Sequence, residues 1–209
     1  MTEFWENSFK KKQEMWGLKP TKSALLAKDL FFKKGIRNIL IPGMGYGRNA
    51  KVFKDNGFDV TGIEISKTAI ELARKYLGHD VTIYHDTVSN MPLDSRRYGG
   101  IFCHALVHLL DKEERQKLIL DCYDHLIENG YMIFTAIAKK SPNFGKGRRI
   151  DKDRFEFHQG TKLFYYDEIS VQEEFSEVGL FEVDEINEDQ PLYYIKCQKT
   201  KSLKKKIKK

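Results

Sequence analysis

The sequence predicts an α/β fold, a doubly wound and mostly parallel sheet with an antiparallel hairpin at its edge. Three observations carry this reading. β-rich runs alternate with helix-period segments over most of the chain, the pattern of a parallel sheet covered on both faces. A glycine-dense turn, GMGYG, follows the first β-rich run directly. The last two β-rich segments, LFEVDEI and PLYYIKCQK, are joined only by NEDQ. A parallel return needs a crossover of about a dozen residues, so these two strands must pair antiparallel.

Residues 3–20, EFWENSFKKKQEMWGLKP, form an aromatic-bearing leader that ends at Pro20. TKSALLAKDLFFKKG has helical period and closes on glycine, and IRNILIP is the first strand. RNAKVFKDNG reads as a short helix stopped by Asn-Gly, and FDVTGIEIS as the second strand. SKTAIELARKYLG is a helix with Ser66 as N-cap and Gly78 as stop, followed by the third strand, VTIYHD. GGIFCHA is the fourth strand. DKEERQKLILDCYDHLIENG opens on a capping-box pair, Asp111 and Glu114, and is expected to stay helical to its Asn-Gly; YMIFTAIA is the fifth strand. Residues 139–160 are polar and basic with turn signals, and DEISVQEEFSEVG is a last helix before the hairpin.

The 209 residues, 41% hydrophobic and 12% aromatic, suit one globular domain, expected over residues 1–198. The longest apolar stretches are too short and too interrupted to span a bilayer, and no secretory leader is apparent. Three widely spaced cysteines without a CxxC pair suit a reducing, cytoplasmic setting without structural zinc. Seven lysines fall in the last eleven residues, and removing them from the net charge of +6 leaves −1 for residues 1–198. Residues 199–209 therefore read as a solvated, disordered tail, with an arm for nucleic acid as the less favoured alternative.

Gly43, Gly45 and Gly47 stand where the first strand meets a helix, the place at which open α/β sheets bind ligands. Glu64 ends the second strand about twenty residues later, where a carboxylate can accept both hydroxyl hydrogens of a ribose. The spacing is GxGxG rather than the GxGxxG of dinucleotide sites, with Arg48 at the position wanting Gly or Ala. Asp86 ends the third strand, placed to accept an adenine amino group while the Thr87 or Val88 amide meets a ring nitrogen. An ordinary tight turn and a turn aspartate are the alternatives for these features.

Glycine loop, Glu64 and Asp86, in that order, resemble the class I S-adenosylmethionine-dependent methyltransferases over roughly residues 20–198. LIPGMGYGRN is similar to the loop of thiopurine and thiol methyltransferases, and GYGRNAKVFKDNGFDVTGIE to that of tellurite-resistance methyltransferases. Ile41 departs from the family's usual aspartate, which leaves Glu64 the main carboxylate. The resemblance implies a Rossmann-like, seven-stranded sheet with the last strand inserted antiparallel. It also implies a site for S-adenosyl-L-methionine formed by Gly43, Met44, Gly45, Glu64, Ile65, Asp86, Thr87 and His104, with Thr21 near the methionine carboxylate. Trp5 and Trp16 resemble a lid of small-molecule members, with core packing as the alternative.

The methyl of a sulfonium is already electrophilic, so alignment and exclusion of water are the main catalytic requirements. The loop after the fourth strand, CHALVH, makes His104 the first candidate on the substrate side, and His158 in the variable segment the second, with Tyr165 and Tyr166 as pocket candidates. Both histidines also have bland readings, as a satisfied loop residue and as a solvent-exposed one. His104 and His108 are spaced like a metal pair, but no third ligand is evident. The loop lacks the Asn/Asp-Pro-Pro-aromatic pattern of base-amino methyltransferases and the Pro-Cys of cytosine-C5 enzymes. EINEDQPLYYIK lacks the late His-Arg pair of tellurite-resistance relatives. A small thiol, metalloid or metabolite acceptor is expected; an RNA or protein methyltransferase using the tail, and a non-catalytic adenosyl-binding module, are the alternatives. The sequence leaves the oligomeric state open.

Overall fold

A computed structural model describes residues 2–91, 95–157 and 160–200. Its central sheet has seven strands: β1 (Asn38–Pro42), β2 (Asp59–Glu64), β3 (Thr82–His85), β4 (Tyr98–Cys103), β5 (Leu126–Ile137), and the hairpin strands that close the chain. The order across the sheet is β3-β2-β1-β4-β5, then the last strand, then the one before it. The first five strands are parallel. Both strands of the hairpin pair antiparallel with their neighbours, with Leu192 opposite Ile137 and Ile186 opposite Leu192. The hairpin turn therefore lies at the carboxyl ends of the parallel strands, the same edge as the glycine loop.

Among the described residues, six α-helices accompany the strands: α1 (Thr2–Lys12), α2 (Lys22–Lys33), α3 (Arg48–Asp55), α4 (Lys67–Leu77), α5 (Lys112–His125) and α6 (Glu168–Phe175). Local chemistry sets their starts. Thr21, Ser66, Asp111 and Asp167 each cap a first turn through the side chain, the last two in complete capping boxes. Two hydrophobic clusters fill the space on the two sides of the sheet; one contains Phe31, Phe53 and Phe102, the other Leu118, Phe134 and Phe175, all inaccessible to solvent. Burial of this kind is the main favourable contribution to the fold.

α5 ends at His125 rather than at Asn129-Gly130, because Leu126 already pairs with Tyr98 in the sheet. Asn129 takes a left-handed φ of 63°, and its N–H donates to the Lys199 carbonyl at 2.7 Å. The Asn-Gly pair is thus an irregularity inside β5, and tertiary pairing overrides a helix-stop signal. Residues 139–160, expected as an irregular polar segment, contribute to a second, antiparallel sheet: β6 (Arg148–Asp151), β7 (Arg154–Glu156) and β8 (Lys162–Phe164). The hairpin strands are β9 (Leu180–Asn187) and β10 (Pro191–Gln198).

Tyr165 and Tyr166, expected to line a pocket, are fully buried core residues. Tyr165 packs edge-on against Phe144 and Phe155, and the Tyr166 hydroxyl donates to Glu174 at 2.6 Å. Most of the lysine-rich tail, residues 201–209, lies outside the described residues.

Candidate active site

The glycine loop leaves β1 at Pro42 and reaches α3 in five residues. Gly43, Gly45 and Gly47 all have positive φ, a conformation that L side chains rarely adopt. Between them the Met44 N–H donates to the Ile63 carbonyl at 3.0 Å, and the Gly45 N–H donates to Glu64 Oε2 at 2.7 Å. The loop is therefore fastened to the end of β2 through main chain and carboxylate together. An ideal Cβ on Gly45 would touch only the Phe9 ring, at 3.9 Å, so this stretch of main chain borders open space. Gly62, which the sequence did not mark, is a glycine because a Cβ there would stand 2.5 Å from Met44 Sδ.

Glu64 is 5% exposed. Its Oε1 accepts the Ser66 N–H at 2.9 Å while Oε2 holds Gly45. Burial raises the pKa of its carboxyl group; the backbone donors Ser66, Gly45 and Ile65 oppose that rise. One amide on each oxygen leaves further lone pairs for ligand hydroxyls. Asp86 accepts its own Thr87 N–H through Oδ1 at 2.7 Å and Asn90 Nδ2 through Oδ2 at 3.0 Å. Thr87 also caps the next short turn, accepting the Ser89 N–H at 3.0 Å, so its amide and hydroxyl are both engaged.

These residues line one cavity of about 530 Å³ at the carboxyl edge of β1, β2, β3 and β4. Gly43, Met44, Gly45, Glu64, Ile65, Asp86, Thr87 and His104 all contribute to its wall. Thr21 does not; its N–H and hydroxyl both donate to Asn49 Oδ1, at 3.0 and 3.1 Å, and Asn49 is the wall residue. His158 lies outside the described residues.

His104 follows β4 and stacks on Phe102, with ring centroids 5.9 Å apart. Its Nδ1 is within hydrogen-bond distance of Thr135 Oγ1 (2.9 Å) and Ser23 Oγ (3.1 Å). Nε2 stands 3.8 Å from Glu188 Oε2. Burial, with the Arg48 guanidinium nearby, lowers the His104 pKa to about 3, so the ring is neutral near pH 7 and its contact with Glu188 is not an ion pair. His108 is also buried and neutral, its pKa lowered to about 4, and its Nδ1 accepts the Ile137 N–H at 3.3 Å. Among the described residues no group of three or more His, Cys, Asp and Glu side chains is placed to hold a metal ion.

Aromatic side chains of the N-terminal segment, with Tyr46, line one side of the cavity. Trp16 stacks on Tyr46 at 6.2 Å and 11°, and Trp5 and Phe9 complete the cluster. Tyr46 OH donates to the Gly17 carbonyl at 2.6 Å, and Arg48 Nη1 to the Trp16 carbonyl at 2.8 Å. Glu6 of α1 receives the Ser66 hydroxyl (2.7 Å), the Thr68 hydroxyl (2.7 Å) and the Thr68 N–H (3.1 Å) at the start of α4. That contact, invisible in the linear pattern, ties the N-terminal segment to the helix after Glu64.

The donor set suits a nucleoside with a cationic centre: a buried carboxylate for vicinal hydroxyls, an aspartate with an adjacent turn, and electron-rich rings over side-chain-free main chain. The sheet order is that of a Rossmann-like α/β fold, and residues 39–130 match the methyltransferase domain family. A protein of Geobacillus sp. (strain WCH70), whose name proposes a methyltransferase, is 29% identical over 106 residues. The match takes in 49% of this chain and 43% of that protein, so it spans less than half of the relative's length. Among solved structures, the chain resembles the Burkholderia thailandensis 1,6-didemethyltoxoflavin-N1-methyltransferase with bound 1,6-didemethyltoxoflavin and S-adenosylhomocysteine. That likeness has a TM-score of 0.74 at 16% identity and covers 95% of this chain and 87% of the other. A Clostridium acetobutylicum S-adenosylmethionine-dependent methyltransferase gives 0.71 at 12% identity, covering 95% and 98%. TehB from Haemophilus influenzae gives 0.66 at 15%, covering 94% and 67%.

Proposed function

We propose that the protein is an enzyme that transfers the methyl group of S-adenosyl-L-methionine to a small-molecule acceptor. The observation that carries this reading is Glu64, held beside the Gly45 amide at 2.7 Å and open to the cavity. Bound there, the cofactor would supply an electrophilic methyl group. Glu64 then takes the ribose hydroxyls, each charge-assisted bond contributing about 1.5–3 kcal/mol, and Asp86 the adenine amino group. Thr87 spends its amide on Asp86, which leaves the Val88 amide for a ring nitrogen. Asn49, set by Thr21, stands on the wall beside the glycine loop as the polar group for the methionine end.

Trp5, Phe9, Trp16 and Tyr46 exclude water, and a fixed acceptor orientation is worth about 7–11 kcal/mol of the barrier. The size of the cavity supports a small acceptor. The cavity of about 530 Å³ lies within the roughly 300–1,000 Å³ usual for small-ligand sites and must hold cofactor and acceptor together. The Burkholderia relative, whose structure holds 1,6-didemethyltoxoflavin, is consistent with that class. His104 contributes on the acceptor side, its ring fixed at Nδ1 and its Nε2 directed toward Glu188.

The test is a screen of acceptors with isotopically labelled methyl donor, seeded by mass spectrometry of small molecules that co-purify with the chain. Label in a low-molecular-weight product supports the reading. Label confined to RNA or protein substrates contradicts it.

A further inference from the structure

Glu188 was not singled out by the sequence, yet it lines the cavity. It sits in the turn between β9 and β10, which the antiparallel insertion of β10 brings to the carboxyl edge of the parallel strands. Its side chain is only 10% exposed. Oε1 accepts the Ser23 N–H at 2.7 Å, in the first turn of α2, where the helix dipole favours negative charge. Oε2 meets no hydrogen-bond donor among the described residues; its near neighbour is His104 Nε2 at 3.8 Å, on a ring that is neutral near pH 7. Asp189 lines the cavity beside it. Arg48, the one lysine or arginine on the described wall, donates to the Trp16 carbonyl and keeps its positive charge near His104, against five wall carboxylates, Glu64, Asp86, Glu114, Glu188 and Asp189. Oε2 is reachable from the cavity and has no protein donor, so a ligand N–H or O–H can fill that place.

We propose that Glu188 selects the acceptor: it receives an N–H from a neutral primary or secondary amine or from an N–H-bearing nitrogen heterocycle, and disfavours thiolate and metalloid oxyanion acceptors. This deepens the methyltransferase reading and rests on it. The electrostatics of the transfer favour a nitrogen acceptor. When the acceptor's nitrogen lone pair forms the new N–CH3 bond, the C–S bond breaks with its electron pair on sulfur, and the positive charge moves from sulfur to nitrogen. A carboxylate at the acceptor stabilises that developing cation and can take its proton on Oε2 for release to solvent. An anionic acceptor would instead be repelled by Glu188 and Asp189 before reaction, and would develop no positive charge for them to stabilise. The expected class of thiol, metalloid or metabolite acceptors is therefore narrowed to nitrogen-bearing metabolites.

The test uses the full chain and the variants Glu188→Gln and Glu188→Asp. Gln keeps an acceptor oxygen for the Ser23 N–H, so folding and S-adenosylhomocysteine affinity should stay within about twofold of wild type, by calorimetry. Benzylamine, histamine and 2-aminopyridine are compared with thiophenol, 2-mercaptoethanol and tellurite, by calorimetry on the S-adenosylhomocysteine complex and by labelled methyl transfer. We expect at least one nitrogen probe to bind the wild-type complex at millimolar concentration. We expect Glu188→Gln to weaken it at least tenfold, and Glu188→Asp to retain part of the affinity. Binding of no nitrogen probe, equal binding by Glu188→Gln, or methylation of the thiols or tellurite would each overturn the assignment. Should S-adenosylhomocysteine itself fail to bind wild type, the methyltransferase reading fails first, and this proposal with it.

Discussion

The Gly45 amide and the Glu64 carboxylate are 2.7 Å apart, and this one hydrogen bond joins the two sequence features that define the site. Glu64 is thereby a structural clasp of the loop as well as a group open to the cavity. Replacing it by Ala should weaken S-adenosylmethionine binding at least tenfold. It should also destabilise the chain by about 1–3 kcal/mol, because the Gly45 and Ser66 amides lose their acceptor. Calorimetry and urea unfolding measure the two effects separately; an unchanged affinity removes Glu64 from the site.

Gly47 tests whether the third glycine serves backbone geometry rather than ligand approach. Its φ is +87°, and a Cβ there would stand 2.7 Å from Leu77 Cδ1 of α4. Gly47→Ala should cost about 2–3 kcal/mol in stability, a fall in Tm of roughly 4–12 °C. A Tm within a degree of wild type would show that α3 and α4 can shift freely at this point.

The N-terminal segment should loosen when its tie is cut. Glu6 is bound by two hydroxyls and one amide at the start of α4, and these bonds hold its carboxyl pKa down to about 2 against the effect of burial. Glu6→Ala should release S-adenosylhomocysteine several-fold faster in stopped-flow fluorescence, with Trp5 and Trp16 as reporters. An unchanged release rate would mean that the aromatic cluster alone holds α1 in place.

His104→Ala should leave cofactor affinity near that of wild type and remove most turnover, measured with the first acceptor found. Thr135→Val deletes a partner of Nδ1 without changing size, and should lower kcat more than it raises KM. Retained turnover in His104→Ala would refute a role for the ring.

Two buried neutral histidines make the fold acid-sensitive. His108 and His104 have folded pKa values of about 4 and about 3, below their ordinary 6.5. The unfolded chain therefore binds protons that the folded chain refuses. Their contribution is intact above about pH 6.5 and declines as pH falls toward 4 and 3. For His108 alone the loss by pH 5 is about 2 kcal/mol. Glu64 has the opposite sign, since its raised pKa lets the folded state take up a proton more readily on acidification. Urea unfolding at pH 7 and pH 5 should show a smaller decline for His108→Gln than for wild type. Equal declines would contradict a buried, neutral His108.

The parts of the site legible in the sequence are those made by neighbours along the chain. The glycine loop, Glu64 and Asp86 each sit at a strand end that hydrophobic pattern and turn residues mark, and His104 follows the fourth strand directly. Residues brought in by tertiary pairing were not legible. Glu188 reaches the cavity only because β10 is inserted antiparallel beside β5, and Glu6 only because α1 folds back onto α4. The Asn129-Gly130 signal misled for the same reason, since pairing of Leu126 with Tyr98 outweighed a local helix stop. Thr21 was expected near the methionine carboxylate; it lies off the cavity wall, and its hydrogen bonds fix Asn49, which lines it.

The most direct measurement is a calorimetric titration of S-adenosylhomocysteine into wild-type protein and Glu64→Ala. One site per chain with a micromolar Kd is expected, weakened at least tenfold in the variant. No heat of binding at millimolar ligand, or equal affinity in the two proteins, would contradict it.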